Sequence, residues 1–220
     1  MDFFEVVETQ RALRRFRPEP VTNAALHRIL DAATRAPSAR GAEPWAFVVV
    51  RDRGVREEIG RRYREAWEVG QRYTHDTDAD RDVRDLPHYE RMMRAAGELG
   101  ATLHRAPVVI ACCLDHSRLG PLAGPDGSLR VPAAAYASIF PAVQNLMLAA
   151  RALGLGTTLT TLHRTFEEDL KTLLAIPAHV EVAALVPLGH PRDRFGPTRR
   201  RPVGEVAHLD RWGTPLPSPD

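Results

Sequence analysis

AAAYASIFPAVQNLMLAARALGLGTT, residues 133–158, is the stretch on which the fold turns. Its first 21 residues hold one charge, Arg151, and no break until Gly154 and Gly156. That predicts a helix over 133–153 that is apolar on every side. A transmembrane span has this length, but the alanine-rich composition, Pro141 and the pair Gln144-Asn145 weaken insertion, and no second hydrophobic segment accompanies it. In a soluble protein such a helix must be buried all round. A chain of 220 residues achieves that most easily if a second subunit covers one face, so a homodimer with this helix near its interface is expected.

On either side of this helix, short apolar runs alternate with helical patterns. Residues 2–9 and 22–36 read as helices, the second capped by Thr22, striped by Leu26, Ile29, Leu30 and Ala33, and stopped by Pro37. WAFVVV (45–50), VVIACCL (108–114) and VEVAALVPLG (180–189) read as buried strands. Arginine- and glutamate-rich helices are expected at 54–72 and 88–105, a strand entry at TTLTTL (157–162) and a short helix at 166–174. THDTDADRDVRDLP (74–87) and the Gly/Pro-rich 120–132 read as surface connections. From 190 onward the Arg/Pro-rich chain predicts an extended tail laid over a surface. With neither a repeat nor a boundary, the mixture is one α/β or α+β domain.

Composition excludes several function classes. Hydrophobic residues make up 44% and charged residues 26%, which argues against disorder. A net charge of +2 gives no sustained positive field for a nucleic-acid backbone, and no membrane association is expected. Cys112 and Cys113 are adjacent on a strand, where side chains point to opposite faces, so no disulfide joins them; without an export-like start, a cytoplasmic location is expected. Of 30 basic residues all but Lys171 are arginine. Coding bias accounts for most of these, but a planar guanidinium also binds phosphate or carboxylate better than an ammonium does.

The common catalytic signatures are absent: no P-loop, no His-Glu-x-x-His, no Cys-x-x-Cys, no Gly-x-Ser-x-Gly. Gly154-Leu155-Gly156 follows a helix and has Leu159 where a dinucleotide fingerprint needs a third glycine. Asp76, Asp78, Asp80 and Asp82 alternate like a calcium loop, but Arg81 and Pro87 occupy its glycine and glutamate positions, and the nine histidines lack ligand spacing. No metal site is expected. Three segments remain: the cationic Arg11-Ala12-Leu13-Arg14-Arg15-Phe16, the small-residue connection Ala36-Pro37-Ser38-Ala39-Arg40-Gly41-Ala42-Glu43-Pro44-Trp45, and Thr198-Arg199-Arg200-Arg201-Pro202 in the tail. Each alone passes for a solvated turn, a loop or a charged tail.

Together with the helix between them, these segments resemble the nitroreductase family of flavin enzymes, in the right order and across essentially the whole chain. The resemblance implies an α+β nitroreductase-like fold, a central mostly antiparallel sheet flanked by helices, in an intertwined homodimer that binds FMN at the subunit interface. Residues 1–220 would form one FMN-binding domain, with 61–104 a substrate-covering helical region and 190–220 the extended C-terminal tail. Arg11 and Arg14, with Arg15 and the intervening Ala12 and Leu13, would hold the phosphate and ribityl chain. Pro37, Ser38 and Ala39, followed by Arg40, would come from the partner subunit against the flavin ring. Thr160 or Thr161 would supply a donor to the flavin N5, and Arg200, with Arg199 beside it, would close on the phosphate.

The implied chemistry is flavin-borne, with no catalytic side chain: NADH or NADPH passes hydride to FMN, and a small electron-poor acceptor, a nitroaromatic or quinone, is reduced in its place by a ping-pong cycle. Tyr63, Trp67, Tyr73 and Tyr89 are candidates to stack on that acceptor or to pack the helices. Several positions depart from the family pattern: Ala12 stands where many relatives have serine, Gly41 and Glu43 replace asparagine and glutamine, and Arg40 replaces a small residue. The Ser-x-x-x-x-Glu-Pro-Trp form is closer to the iodotyrosine-deiodinase branch. Alternatives to the nitroreductase reaction are reductive dehalogenation or flavin fragmentation on the same fold, a flavin-binding protein without turnover, and a nucleic-acid module using 192–201.

Overall fold

The computed structural model describes residues 1–74, 86–119 and 133–217, so the loop expectations for 75–85 and 120–132, the calcium-like aspartates among them, lie outside the described residues. Among the described residues six helices and four strands run in the order α1 (Phe3–Thr9), α2 (Asn23–Thr34), β1 (Trp45–Val50), α3 (Arg53–Thr74), α4 (Leu86–Thr102), β2 (Val108–Asp115), α5 (Ala133–Ala152), β3 (Gly156–Thr157), α6 (Glu167–Leu173) and β4 (Val180–Gly189). The sheet has the order β1-β2-β4-β3, and each of its pairings is antiparallel.

Local chemistry sets the element ends. Asp2 accepts the backbone N–H groups of Phe4 and Glu5, and Thr22 accepts that of Ala25, each satisfying donors that a helix start leaves open. Gly154, at φ 73°, closes α5: its N–H donates to the Arg151 carbonyl, and that of Leu155 to the Ala150 carbonyl.

β2 is apolar along its length because both its faces are covered. Val108, Ile110, Cys112 and Leu114 pack with α2 and α5 on one side. Val109, Ala111 and Cys113 pack with Ile59, Tyr63, Leu99, Leu103 and Leu170 of the other helical layer. Between Cys112 and Cys113 the register against β4 slips, from Cys112 opposite Ala184 to Cys113 opposite Val182, leaving Ala183 as the extra residue. Both thiols are free and buried, and burial pushes that of Cys113 up to about 12.

Three expectations change. β1 is not fully buried: it is an edge strand, paired only with β2, and Ala46 is exposed. The strand expected to enter at 157–162 ends at Thr157, the last residue of β3. After Thr157 only Thr160 bridges to Leu185, because Thr161 leaves the extended region (φ −118°, ψ 7°) and starts a 3-10 turn at Leu162–Phe166. The tail is folded back as well as extended, with a turn at Val203–Glu205 and a bridge between His208 and Pro215. The chain alone leaves one face of α5 uncovered, the situation for which the sequence calls on a second subunit: Ile139, Ala142, Val143 and Leu146 are buried, whereas Ala137, Phe140 and Gln144 are exposed. Among the described residues no helix is long and apolar enough to cross a membrane.

His163 is fully buried. One ring nitrogen lies 2.5 Å from the Val182 carbonyl, to which it donates, and among the described residues Nδ1 has no partner. Burial pushes its pKa below the ordinary value of 6.5, with the Val182 carbonyl and Glu167 opposing. The unfolded imidazole therefore takes up a proton that the folded one refuses. The contribution is fully present above pH 6.5 and is lost as pH falls toward the depressed value, at up to about 1.4 kcal/mol per pH unit. Urea unfolding across that range should show this slope, and His163→Gln should flatten it.

Candidate functional site

The cationic segment after α1 is laid along the short edge strand β3. The Leu13 N–H donates to the Thr157 carbonyl at 2.9 Å, and the Arg17 N–H to that of His190 at 2.8 Å. Gly156 permits the approach: a Cβ there would lie 3.0 Å from the Pro191 Cβ and 3.2 Å from the Leu13 Cβ. Leu13 and Phe16 are thereby buried, and the side chains between them divide. Arg11, Ala12 and Arg14 line a cleft of about 610 Å³. Arg15 lines neither this cleft nor its neighbour; its Nε donates to Asp193 at 3.0 Å, and Glu98 lies 3.9 Å away.

Arg199 and Arg200 line the same cleft as Arg11 and Arg14, although nearly the whole chain separates them. The tail is brought there by Arg151, whose guanidinium stacks 4.1 Å from the Phe195 ring centre while its Nε donates to Thr9 Oγ1 at 2.9 Å. The single charge of the 21-residue run at 133–153 thus ties α1 and the tail to α5. The Thr198 N–H donates to the Glu8 carbonyl at 3.1 Å, fixing the residue before the two arginines. Arg91, Met92 and Ala95 of α4 close the cleft, and among the described residues no carboxylate lines it. Burial pushes the Arg14 guanidinium pKa below its ordinary value, with Tyr63 opposing and Arg11 adding to the depression. A half-buried cation beside another cation is a site that favours an anion.

A second cavity of about 340 Å³ shares Arg14 and is lined by residues 158–162, by Tyr63 and Trp67 of α3, and by Ala96 and Leu99 of α4. Thr160 is held on three sides. Its N–H donates to the Leu185 carbonyl at 3.0 Å, its hydroxyl lies 2.8 Å from that of Tyr63, and the same hydroxyl accepts the Leu162 N–H at 3.4 Å. Thr161 is exposed, and among the described residues no acceptor pairs with its N–H.

The helices over the site are rooted in the core: Trp67 packs against Gly97 and Gly100, where a Cβ would come within 3.4 Å and 3.1 Å of its ring. Tyr63 is buried, Trp67 and Tyr89 are half-buried, and the Tyr73 side chain lies outside the described residues.

Pro37, Ser38, Ala39 and Arg40 line neither cavity of their own protomer. They form a tight loop against α5, in which the Ala39 N–H donates to Ser138 Oγ at 3.1 Å and the Glu43 N–H to Ser38 Oγ at 3.0 Å. Arg40 and Glu43 sit at φ 56° and 47°, a conformation that these two hydroxyl contacts hold. Sequence reasoning missed Arg91, Tyr63 as a partner of Thr160, and Arg151 as the anchor of the tail. For Arg91 the only available signal was its shared helix face with Ala95.

An α+β protein with an antiparallel sheet and an arginine cleft, free of carboxylates among the described residues, beside a threonine-lined cavity has the donor set of a phosphate-binding site. The chain belongs to the nitroreductase family, a family of flavin oxidoreductases, whose sequence profile matches residues 7–190. It is 29% identical to an NADH dehydrogenase of Thermus thermophilus over 90% of each chain. It is 26% identical to a 5,6-dimethylbenzimidazole synthase of Rhodospirillum rubrum over 96% of this chain and 88% of that one. An iodotyrosine deiodinase crystallised with FMN and 3-iodo-L-tyrosine shares the fold with a TM-score of 0.70 at 21% identity, covering 97% of this chain and all of that one.

Proposed function

We propose that the chain binds FMN and, by a ping-pong cycle, uses NADH or NADPH to reduce a small electron-poor acceptor such as a nitroaromatic or quinone. The observation that carries this reading is the convergence of Arg11, Arg14, Arg199 and Arg200, with no carboxylate among the described lining residues, on one cleft next to Thr160 and Thr161. FMN, when bound, supplies the redox chemistry, and the residues around it have separate tasks. Arg11 and Arg200 pair with the phosphate, and Arg14 receives the ribityl end nearer the second cavity. Because the Thr160 N–H is spent on Leu185, the free N–H of Thr161 is the better donor to the flavin N5.

The site is completed by a second copy of the chain, which brings its own loop 37–40 against the flavin ring. Supporting this are the uncovered face of α5 and the apolar side chains the protomer leaves in water: Phe3 is 64% exposed, Phe4 69% and Trp212 92%. Other FMN reactions, reductive dehalogenation or flavin fragmentation, form the second reading, favoured by the deiodinase and synthase relatives.

The absorption spectrum of the purified protein, followed anaerobically with NADH and NADPH and then with nitroaromatics and quinones, tests the proposal. Bleaching by either nucleotide and recovery with an acceptor are expected. A flavin that neither nucleotide bleaches would favour a binding protein without turnover, and one that bleaches but that no nitro compound or quinone reoxidises would favour the second reading. Sedimentation on dilution should give no well-folded monomer.

A further inference from the structure

Among the described residues the cleft carries more positive charge than one phosphate needs, even without counting Arg199. Arg11, Arg14, Arg91, Arg199 and Arg200 all line it. A phosphate monoester carries only about −1.5 to −2 near neutral pH. Arg91 stands apart from the other four. It comes from α4, the helix that closes both cavities, with Met92 and Ala95 on the larger one and Ala96 and Leu99 on the smaller.

Three arginines of neighbouring α3 are neutralised where they stand: Arg53 by Glu57 at 2.7 Å, Arg61 by Glu58 at 2.6 Å and Glu65 at 2.5 Å, and Arg62 by Glu58 at 2.8 Å. Among the described residues no carboxylate pairs with Arg91, and the groups it shares the cleft with are cations that repel it. Met92, exposed and adjacent, adds the apolar surface on which the ring of a small ligand would rest.

We infer that Arg91 anchors a carboxylate or phosphate carried by the molecule that meets the flavin, and so makes the site select anionic reactants over neutral ones. The inference rests on the proposed function in that the flavin phosphate takes the floor and tail arginines. The anion has two possible sources, an aromatic acid acceptor or the additional phosphate that distinguishes NADPH from NADH.

Calorimetric titration of the protein as isolated, with para-nitrobenzoate against its neutral amide and with NADPH against NADH, separates these sources. Wild type should prefer the anionic member of at least one pair. Arg91→Ala should weaken that member on the order of tenfold while leaving its counterpart within about twofold, the loss expected for one charge-assisted contact. Arg91→Lys should restore part of the loss, and the flavin-to-protein ratio should stay at the wild-type value. Loss confined to para-nitrobenzoate assigns the acceptor as the source, and loss confined to NADPH assigns the nucleotide. Equal weakening within both pairs, no anionic preference in wild type, or a fall in flavin content with Arg91→Ala overturns the inference. A wild-type protein that neither holds nor takes up FMN defeats the proposed function instead, whereas the inference alone fails where FMN is bound and Arg91→Ala leaves the anionic preference unchanged.

Discussion

Protein carrying both Arg11→Ala and Arg200→Ala is expected to fold and to bind FMN roughly a hundredfold to ten-thousandfold more weakly, because two charge-assisted phosphate contacts of about 1.5–3 kcal/mol each are removed. Folding should survive because both side chains are exposed and neither pairs with a carboxylate among the described residues; Arg200 donates only to the neighbouring Arg199 carbonyl, at 2.8 Å. Arg15→Ala is the internal control. It breaks the link to Asp193 without touching the cleft, so flavin content should be retained. Flavin fluorescence after exhaustive dialysis reads all three proteins, and an unchanged ratio in the double variant would refute the phosphate assignment.

Gly189→Ala should give the largest loss of stability from a single methyl group. The added Cβ would lie 2.6 Å and 2.7 Å from Cδ and Cγ of Pro107 and 3.2 Å from Cδ1 of Phe16. The proline ring precedes β2 and has no rotamer through which to retreat, and Phe16 is buried at the end of the cationic arm. Either β2 and β4 part at that end or the arm lifts from the sheet edge. Overpacking of this kind costs about 2–3 kcal/mol, a fall in Tm of roughly 5–10 °C for a chain of this size. Thermal and urea unfolding check the figure, and a change below about 0.5 kcal/mol would show that the arm yields without strain. If it is the arm that lifts, flavin affinity should fall as well, since Arg11 and Arg14 ride on it.

The strands were legible wherever the apolar runs were continuous: β1 and β4 begin and end where WAFVVV and VEVAALVPLG do. The threonine run after α5 was not, since its alternation suits a strand, whereas its course is set by one bridge to Leu185 and by Leu162 packing against the second core. The arginine pairs 11/14 and 199/200 were found through the family resemblance, each segment alone being indistinguishable from a charged turn. Arg91 was hidden for a different reason. Helix α4 also carries Arg94, and only the packing of Trp67 onto Gly97 and Gly100 decides which face of that helix looks into the cleft.

Arg151 joins segments from both ends of the chain, Thr9 on one side and Phe195 on the other. Its position dictates a sequence of events during synthesis. A nascent chain still short of residue 200 has the arm and the helix but not the tail arginines, so it presents half of the proposed phosphate grip. Contacts between segments this far apart form late, after the local ones. If these arginines hold the flavin phosphate as proposed, flavin capture waits for the tail, and truncations near residue 195 should accumulate as colourless protein even where the sheet and both cores have formed.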